Sequence, residues 1–228
     1  MEVVNLENKK FVMSFSAGKD STLALFKMIQ DGYKPIALLT TVQKEKSISW
    51  SHGLDYKFLE RISESLEIPL LKAECESHNY AKVFEETLLI AKKMGANICV
   101  FGDIDIKDHK KWGIDRCKNT NMEAKFPLWE CSREKLVYEF IDTGFKTVIN
   151  KVNLNNLDKE FLGKILTKEV VDDMKKIGID PCGENGEYHT FVFDGPIFKN
   201  KIDFDIENII IEKYQKFRFI QVYIKNIN

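Results

Sequence analysis

Two short stretches of the sequence concentrate residue types that can do chemistry. The first, SAGKDS at residues 16–21, sets a lysine and an aspartate among small and hydroxyl side chains. The second, GENGEYH at residues 183–189, holds two glutamates and a histidine. Small residues with hydroxyls and a lysine suit the binding of phosphate groups. Paired carboxylates beside an imidazole can bind a cation or transfer protons.

The first stretch lies between a predicted buried strand, KFVMSF, and a predicted helix that begins STLALF. Backbone N–H groups and the helix dipole meet at such a junction, which makes it a site for an anion. The small residues at 16–18 let phosphate oxygens approach the backbone closely. Lys19 offers a counter-charge, and Asp20 can cap the helix or help to hold a metal ion.

This junction is not a phosphate loop of the kinase type. The pattern G-x-x-x-x-G-K-[ST] requires glycine where Met13 stands, and Asp20 follows the lysine directly. A plain strand-to-helix turn with an ordinary cap is the alternative, because small polar residues are common at such turns.

The second stretch is predicted to be a tight turn before a strand. Gly183 and Gly186 allow the turn, from which Glu184, Glu187 and His189 project. These side chains can bind an amine, a metal or a cationic substrate, or transfer protons. A polar hairpin turn with a solvated acidic tip is the alternative.

The elements around both stretches indicate the fold. Four apolar runs, KFVMSF, PIALLTT, PLLKA and NICVFGD, alternate with segments of helical periodicity. This alternation predicts an α/β fold with a parallel, doubly wound sheet of the Rossmann-like kind. Ligands of such sheets bind beyond the carboxyl ends of the strands. SAGKDS leaves the first strand there, and GDIDIKDH leaves the fourth.

The regular alternation of strand and helix patterns changes after about Pro127. This change predicts two domains: residues 1–124, and a smaller α+β domain at residues 125–228. In the second domain, residues 156–179 have helical periodicity with a break near Gly163. Three strand-like runs then end the chain.

Composition limits the functional class. The 228 residues carry 34 basic and 35 acidic side chains, so the net charge of −1 argues against nucleic acid as a partner. We expect no membrane association, because no apolar segment approaches about 18 residues. The five cysteines form no C-x-x-C pair, which suits a cytoplasmic protein without a disulfide framework.

Both stretches resemble motifs of one family. SAGKDS resembles the SGGxDS loop of the PP-loop ATP pyrophosphatases, with Ala17 in place of the first glycine. GENGEYH resembles the GExGE[FY] motif of the diphthine–ammonia ligase family within that group. Further matches follow in the expected order: SWSHG at 49–53, FGDI at 101–104, Trp112, Cys117, FPLW at 126–129 and FLG at 161–163.

The resemblance implies a PP-loop, adenine nucleotide alpha hydrolase-like fold and an ATP-dependent, AMP-forming amide ligase. Eukaryotic and archaeal members convert the carboxylate of diphthine, on a histidine of elongation factor 2, into the amide diphthamide. The implied chemistry is adenylation of a carboxylate followed by attack of ammonia, with ATP and Mg²⁺ as cofactors. The acceptor is a small-molecule or protein-borne carboxylate, and the oligomeric state stays open, a homodimer included.

The resemblance also implies roles for individual residues. ATP is expected at Ser16, Ala17, Gly18, Lys19, Asp20, Ser21, Thr40 and Gly102, and Mg²⁺ at Asp20 and Asp103. Catalytic roles are expected for Asp103, Glu184, Glu187 and His189, and substrate binding for His52, Trp129 and Asn185.

The motif departs from the eukaryotic pattern, which is nearer to GEGGEYET. Asn185 and His189 stand where that pattern has glycine and glutamate. This GENGEYHT form is typical of bacterial-type members, for which other carboxylates, as in corrinoid salvage, are an alternative acceptor. A non-catalytic ATP-binding module and a tRNA-modifying relative are further alternatives.

Overall fold

The computed structural model describes residues 9–214 and 217–226. The chain forms two compact units, each assembled from separate segments. The first unit contains Met1–Ser16, Asp20–Ser49 and Glu67–Glu130, and the second contains Ala17–Lys19, Trp50–Leu66 and Cys131–Asn228. The boundary near residue 124 stays a prediction. In the described part of the chain, no helix has the length and apolar character that crossing a membrane requires.

The first half contains β1 Lys10–Ser14, α1 Lys19–Gln30, β2 Lys34–Gln43, α2 Tyr56–Leu66, β3 Leu70–Cys75, α3 Tyr80–Lys93, β4 Ile98–Val100, α4 Lys107–Asn119 and β5 Glu123–Lys125. The second half contains α5 Arg133–Asp142, β6 Lys146–Asn153, α6 Lys168–Lys176, β7 Tyr188–Asp194, β8 Phe204–Tyr214 and β9 Phe217–Asn226.

The first unit is built on a parallel sheet in the order β3-β2-β1-β4-β5. Consecutive residues of β1, from Phe11 to Met13, are fully buried, as expected for a strand covered on both faces. Val12 packs with Phe84 and Leu88 of α3 in one cluster. The predicted α/β class is confirmed. Because β1 and β4 are neighbours, the loops that leave them start from adjacent strand ends.

The second unit has a four-stranded antiparallel sheet in the order β7-β6-β9-β8. Its core includes Phe58 of α2, Phe191 of β7 and Phe204 of β8, whose rings meet edge to face at centroid distances of 4.9–6.4 Å. Such contacts favour aromatic pairs beyond the burial of their area. The sheet fixes a register in which Lys151 of β6 lies opposite His189 of β7.

One predicted element differs from the structure, and one observed strand was not predicted. Only the second half of the segment 156–179 is an α-helix; its first half forms a short 3-10 turn at Lys159–Phe161. Thr167 separates the two, because its side chain accepts a hydrogen bond from the Val170 N–H and so starts α6. The three-residue strand β5 was not predicted, because EAK has no apolar pattern.

Candidate functional site

The loop after β1 is closed by its own serines. The Ser16 N–H donates to Ser21 Oγ (3.4 Å), and the two hydroxyl oxygens lie 3.1 Å apart. Both residues belong to the first unit. This pairing holds the chain in a turn directly before the amino end of α1, where helical N–H groups favour an anion.

Ala17 adopts a conformation that favours glycine. Its φ is 62°, and its side chain is fully buried. Its carbonyl accepts a hydrogen bond from the Val192 N–H of β7 (2.8 Å), which fixes the position of the peptide group. The left-handed backbone therefore gives a physical reason for the glycine that the SGGxDS pattern has at this position.

We expect Ala17→Gly to change the free energy of unfolding by less than about 1 kcal/mol. Glycine relieves about 1–2 kcal/mol of left-handed strain. The change loses about 0.8 kcal/mol of methyl burial and adds about 0.4–1 kcal/mol of chain entropy in the unfolded state. Urea unfolding measures the difference. Ala17→Val is the contrast, because a β-branched residue fits φ near 62° poorly; equal stability of both variants would contradict the argument.

Lys19 connects the two stretches that the sequence singles out. Its N–H donates to Thr190 Oγ1 (3.2 Å), and its ammonium donates to the carbonyl of Cys182, the residue before the GENGEYH turn. Its Nζ also lies 5.5 Å from the centroid of the Tyr188 ring. The side chain is only 4% exposed, so its charge acts in a weakly hydrated environment.

Two imidazoles lie beside the loop. A Cβ on Gly18 would come within 2.4 Å of His52 Cε1, so only glycine leaves space for this ring. His52 Nδ1 donates to the Thr190 carbonyl (2.7 Å), which leaves its Nε2 as an acceptor. The ring centroids of His52 and His189 are 4.9 Å apart.

Both imidazoles are held in the neutral form. Burial lowers the pKa of His52 from its usual 6.5 to about 4, and the nearby charges of Lys19 and Lys151 lower it further, whereas the hydrogen bond to Thr190 opposes the shift. Burial also lowers the pKa of His189 well below 6.5, with added effects of His52, Lys151 and Lys19. At neutral pH the two rings can therefore accept or donate hydrogen bonds without carrying charge.

The depressed His52 pKa predicts a loss of stability in mild acid. Between pH 6.5 and about 4, His52 is protonated in the unfolded state but stays neutral in the folded state. The free energy of unfolding should therefore fall as pH falls through this window, by about 2–3 kcal/mol from this residue. Above pH 6.5 both states are neutral, and the dependence disappears. Urea unfolding at pH 7.5 and 4.5 measures it.

His52→Gln should flatten this slope, because glutamine does not titrate. The matched control is His78→Gln, whose side chain is 72% exposed and should leave the slope unchanged. Equal slopes for wild type and His52→Gln would show that the ring titrates normally in the folded protein.

The buried carboxylate of Asp180 fixes the backbone at the start of the GENGEYH turn. Asp180, whose side chain is 7% exposed, accepts hydrogen bonds from the backbone N–H groups of Cys182 (3.1 Å) and Glu184 (2.9 Å). It also pairs with the Arg133 guanidinium at 2.5 Å. The buried thiol of Cys182 donates to the Arg133 carbonyl (3.0 Å). Sequence analysis missed Asp180 and Arg133, although an aspartate that can accept from the N–H two residues later, as Asp180 does from Cys182, is a recognisable turn signal.

The two glutamates of the turn have different surroundings. Glu187 is 5% exposed, and its two oxygens accept from the backbone N–H (3.0 Å) and the side-chain amide (3.1 Å) of Asn185. Glu187 therefore holds Asn185 in place. Glu184 is partly exposed at the tip of the turn, so its carboxylate is the one better placed to meet a ligand.

The loop after β4 approaches the start of α1. A Cβ on Gly102 would lie 2.9 Å from Ser21 N and 3.0 Å from Asp20 C, so the two backbones are in direct contact. Asp103 follows by one residue, and its carboxylate lies 3.3 Å from His109 Nδ1. Asp20 and Asp103 carry oxygen atoms of the kind that Mg²⁺ prefers. The described residues contain no group of three or more acidic, histidine or cysteine side chains placed to hold a metal.

Two further predicted residues have structural partners. Thr40 donates through Oγ1 to the Phe15 carbonyl (2.6 Å), which ties β2 to the end of β1. The Trp129 ring lies under the ammonium of Lys110, 4.0 Å from its centroid, and meets Phe126 edge to face. A partly buried tryptophan with this cation contact is compatible with packing and with ligand stacking.

The structure therefore distributes the predicted site residues over both units. The first unit holds Ser16, Asp20, Ser21, Thr40, Gly102, Asp103 and Trp129. The second unit holds Ala17, Gly18, Lys19, His52, Glu184, Asn185, Glu187 and His189. Within each unit, the contacts described above bring most of these residues together.

Comparisons with known proteins place this chain among relatives. Two family models match it, the diphthamide synthase N-terminal domain at residues 9–124 and the diphthamide synthase C-terminal domain at residues 132–226. The diphthine–ammonia ligase of Homo sapiens is 26% identical over 243 residues, which cover 92% of this chain and 91% of that protein. That of Mus musculus is 26% identical over 228 residues, which cover 89% and 85%.

A solved structure also aligns with the chain. It is a predicted subunit of tRNA methyltransferase from Methanocaldococcus jannaschii, with 18% identity and a TM-score of 0.44. The alignment covers 85% of this chain and 99% of that one.

Proposed function

This chain belongs to the diphthamide synthase family, and we propose that it is an ATP-dependent, AMP-forming ligase that joins ammonia to a carboxylate. The family prediction made from the sequence motifs is confirmed, and the relatives are named as ligases. The observation that supports the reaction most directly is the position of Lys19. It belongs to the phosphate-binding loop and hydrogen-bonds to the carbonyl that precedes the glutamate-rich turn.

The first step is the activation of the acid. A carboxylate oxygen attacks the α-phosphorus of ATP, the bond from that phosphorus to the bridging oxygen breaks, and pyrophosphate leaves. The loop amides at residues 16–18 and the hydroxyls of Ser16 and Ser21 bind the β- and γ-phosphates, and Lys19 compensates the charge that develops on the leaving pyrophosphate. Gly102 allows the β4 loop to approach this nucleotide.

Mg²⁺ fits the oxygen ligands of the first unit. Asp20 and Asp103 would hold it, and when bound it neutralises charge on the phosphates. Because Gly102 packs on the backbone of Asp20 and Ser21, the two carboxylates start from adjacent segments.

The second step forms the amide. Ammonia attacks the acyl carbon of the acyl-adenylate, the carbon–oxygen bond to AMP breaks, and AMP leaves. The nitrogen loses a proton, for which Glu184 at the exposed tip is the acceptor and neutral His189 the neighbouring alternative. Glu187 acts here through Asn185, whose position it fixes by two hydrogen bonds.

The motif says least about the identity of the acceptor. Diphthine is the acceptor that the names of the relatives give for those proteins. In this chain Asn185 and His189 replace glycine and glutamate of the eukaryotic-type motif, so we propose a carboxylate acceptor, protein-borne or small, with diphthine as the first to test.

The test supplies the purified chain with ATP, Mg²⁺, ammonium and candidate acceptors. Diphthine-bearing elongation factor 2 and a corrinoid acid are the two acceptors to compare. We expect AMP and pyrophosphate in equal amounts with the amide, and acceptor-dependent exchange of labelled pyrophosphate into ATP. Formation of ADP and phosphate would reject adenylation. ATP binding without turnover, unaffected by Glu184→Gln, would instead favour a nucleotide-binding module.

A further inference from the structure

Lys151 lies on the same face of the second unit's sheet as His189. In the antiparallel ladder Lys151 of β6 is directly opposite His189 of β7 and Gln221 of β9. Cross-strand partners project from one face of a sheet. The Lys151 ammonium lies 4.8 Å from the centroid of the Phe219 ring, two residues from Gln221 on the same face. The lysine is therefore ordered along this face.

The same sheet contacts the segment that carries His52. Gln221 Nε2 donates to the Gly53 carbonyl (2.9 Å), and the fully buried Asn150 donates through Nδ2 to the His52 carbonyl (2.8 Å). These two amides fix the consecutive carbonyl groups of His52 and Gly53. The His52 and His189 ring centroids are 4.9 Å apart, and Lys151 is the cross-strand partner of His189, so the three residues are neighbours in the second unit.

The electrostatic character of this cluster is positive. The charged groups that act on the pKa values of both imidazoles are Lys19 and Lys151, and each acts to lower them. The acid nearest to His189 along the chain, Glu187, directs both oxygens to Asn185. Two ammonium groups favour an anion. The imidazoles can donate a hydrogen bond to that anion, His52 only after taking up a proton, because the Nε2 of its neutral ring is an acceptor.

We propose that Lys151, together with His52 and His189, forms a subsite for one oxyanion group, the carboxylate of the acceptor. This inference rests on the proposed ligase reaction, which requires the acid to lie beside the phosphate-binding loop. Gly18 of that loop packs directly under the His52 ring, so an acid held here lies next to the loop. A carboxylate is favoured over a nucleotide phosphate because the loop amides and the α1 amino end already provide for the phosphates.

The test uses the full chain with ¹⁵N-labelled histidine. Acetate is titrated at constant ionic strength while the imidazole resonances of His52 and His189 are followed by NMR. We expect saturable shifts and a rise in the pKa of both rings, since a bound anion stabilises the imidazolium form. Lys151→Gln should weaken the acetate affinity by about tenfold or more, and Lys151→Arg should restore most of it.

The matched control is Lys146→Gln, at the other end of the same strand, where the ammonium pairs with Asp194 at 3.5 Å. Its acetate affinity should equal that of wild type. Thermal unfolding of all variants reports whether each is folded. Acetate that leaves the rings unshifted, or that binds equally well to Lys151→Gln, would overturn the subsite.

A second arm replaces acetate with inorganic pyrophosphate. Shifts with pyrophosphate alone would assign the cluster to the nucleotide and overturn the carboxylate assignment. Neither arm requires turnover, whereas the ligase reaction is measured by AMP formation. A failure of the subsite proposal is therefore distinguishable from a failure of the proposed ligase reaction. In an active assay, Lys151→Gln should raise KM for the acceptor about tenfold and leave KM for ATP unchanged.

Discussion

Methionine in place of Lys19 should lower acceptor-dependent ATP–pyrophosphate exchange by about 10²–10³-fold, the effect of removing one preorganised charge-stabilising donor. Methionine keeps the length and the apolar stem of the side chain but lacks the ammonium. It therefore removes both the counter-charge for the phosphates and the donor to the Cys182 carbonyl. The carbonyl left without this donor should also cost about 1–3 kcal/mol of folding stability. Exchange assays and urea unfolding measure the two effects separately.

The matched control is Lys27→Met, in the last turn of the same helix. Eight residues separate the two lysines, which is about 12 Å along a helix axis, so this variant should exchange pyrophosphate at the wild-type rate. If the Lys19→Met variant exchanges pyrophosphate at a rate within about threefold of wild type, the role of the lysine is limited to its structural hydrogen bonds. Calorimetric titration with ATP then distinguishes lost binding from lost chemistry.

The layout of the first unit could be predicted from sequence because its determinants are local. Apolar strand runs alternate with helical periodicity, and the handedness rule for βαβ units then fixes a parallel sheet. The register of Phe11 with Ile98 places β1 beside β4. The motifs named most of the candidate site residues for the same reason: each motif is contiguous.

What the sequence could not supply are contacts made across long separations. Lys19 and Cys182 are 163 residues apart, and no local pattern predicts that an ammonium in the loop meets the carbonyl before the turn. Asp180 and Arg133 were not predicted as partners, because a partly buried ion pair leaves no periodic signal in the sequence. The positive φ of Ala17 could likewise not be predicted from the residue type, since alanine rarely adopts a left-handed conformation.

The two roles assigned to the glutamates show how geometry refines a motif. By spacing alone, Glu184 and Glu187 are equivalent carboxylates. Burial and the two hydrogen bonds from Asn185 make Glu187 a brace within the turn, whereas Glu184 stays partly exposed. In the proposed reaction, Glu184 therefore meets the ligand and Glu187 positions its neighbour Asn185.

Alanine in place of Gly183 should destabilise the protein by about 2–5 kcal/mol. Gly183 has φ +68°, so any side chain adds about 1–2 kcal/mol of left-handed strain. A Cβ there would also lie 2.9 Å from the Tyr188 carbonyl oxygen and from two atoms of its ring. The carbonyl is backbone of β7 and cannot turn away, so overpacking adds about 1–3 kcal/mol. Urea unfolding gives the total.

Gly186 provides the matched control within the same motif. It has a similar backbone conformation, φ +81°, but a Cβ there would meet nothing within 4 Å. Gly186→Ala should therefore cost only the strain of about 1–2 kcal/mol, and the difference between the two variants isolates the collision with Tyr188. Equal destabilisation would mean that β7 shifts to accommodate the methyl group. In that case the Lys19 contact to Cys182, one residue before Gly183, should survive and pyrophosphate exchange should persist; if the collision is resolved by displacing the turn instead, exchange should be lost together with stability.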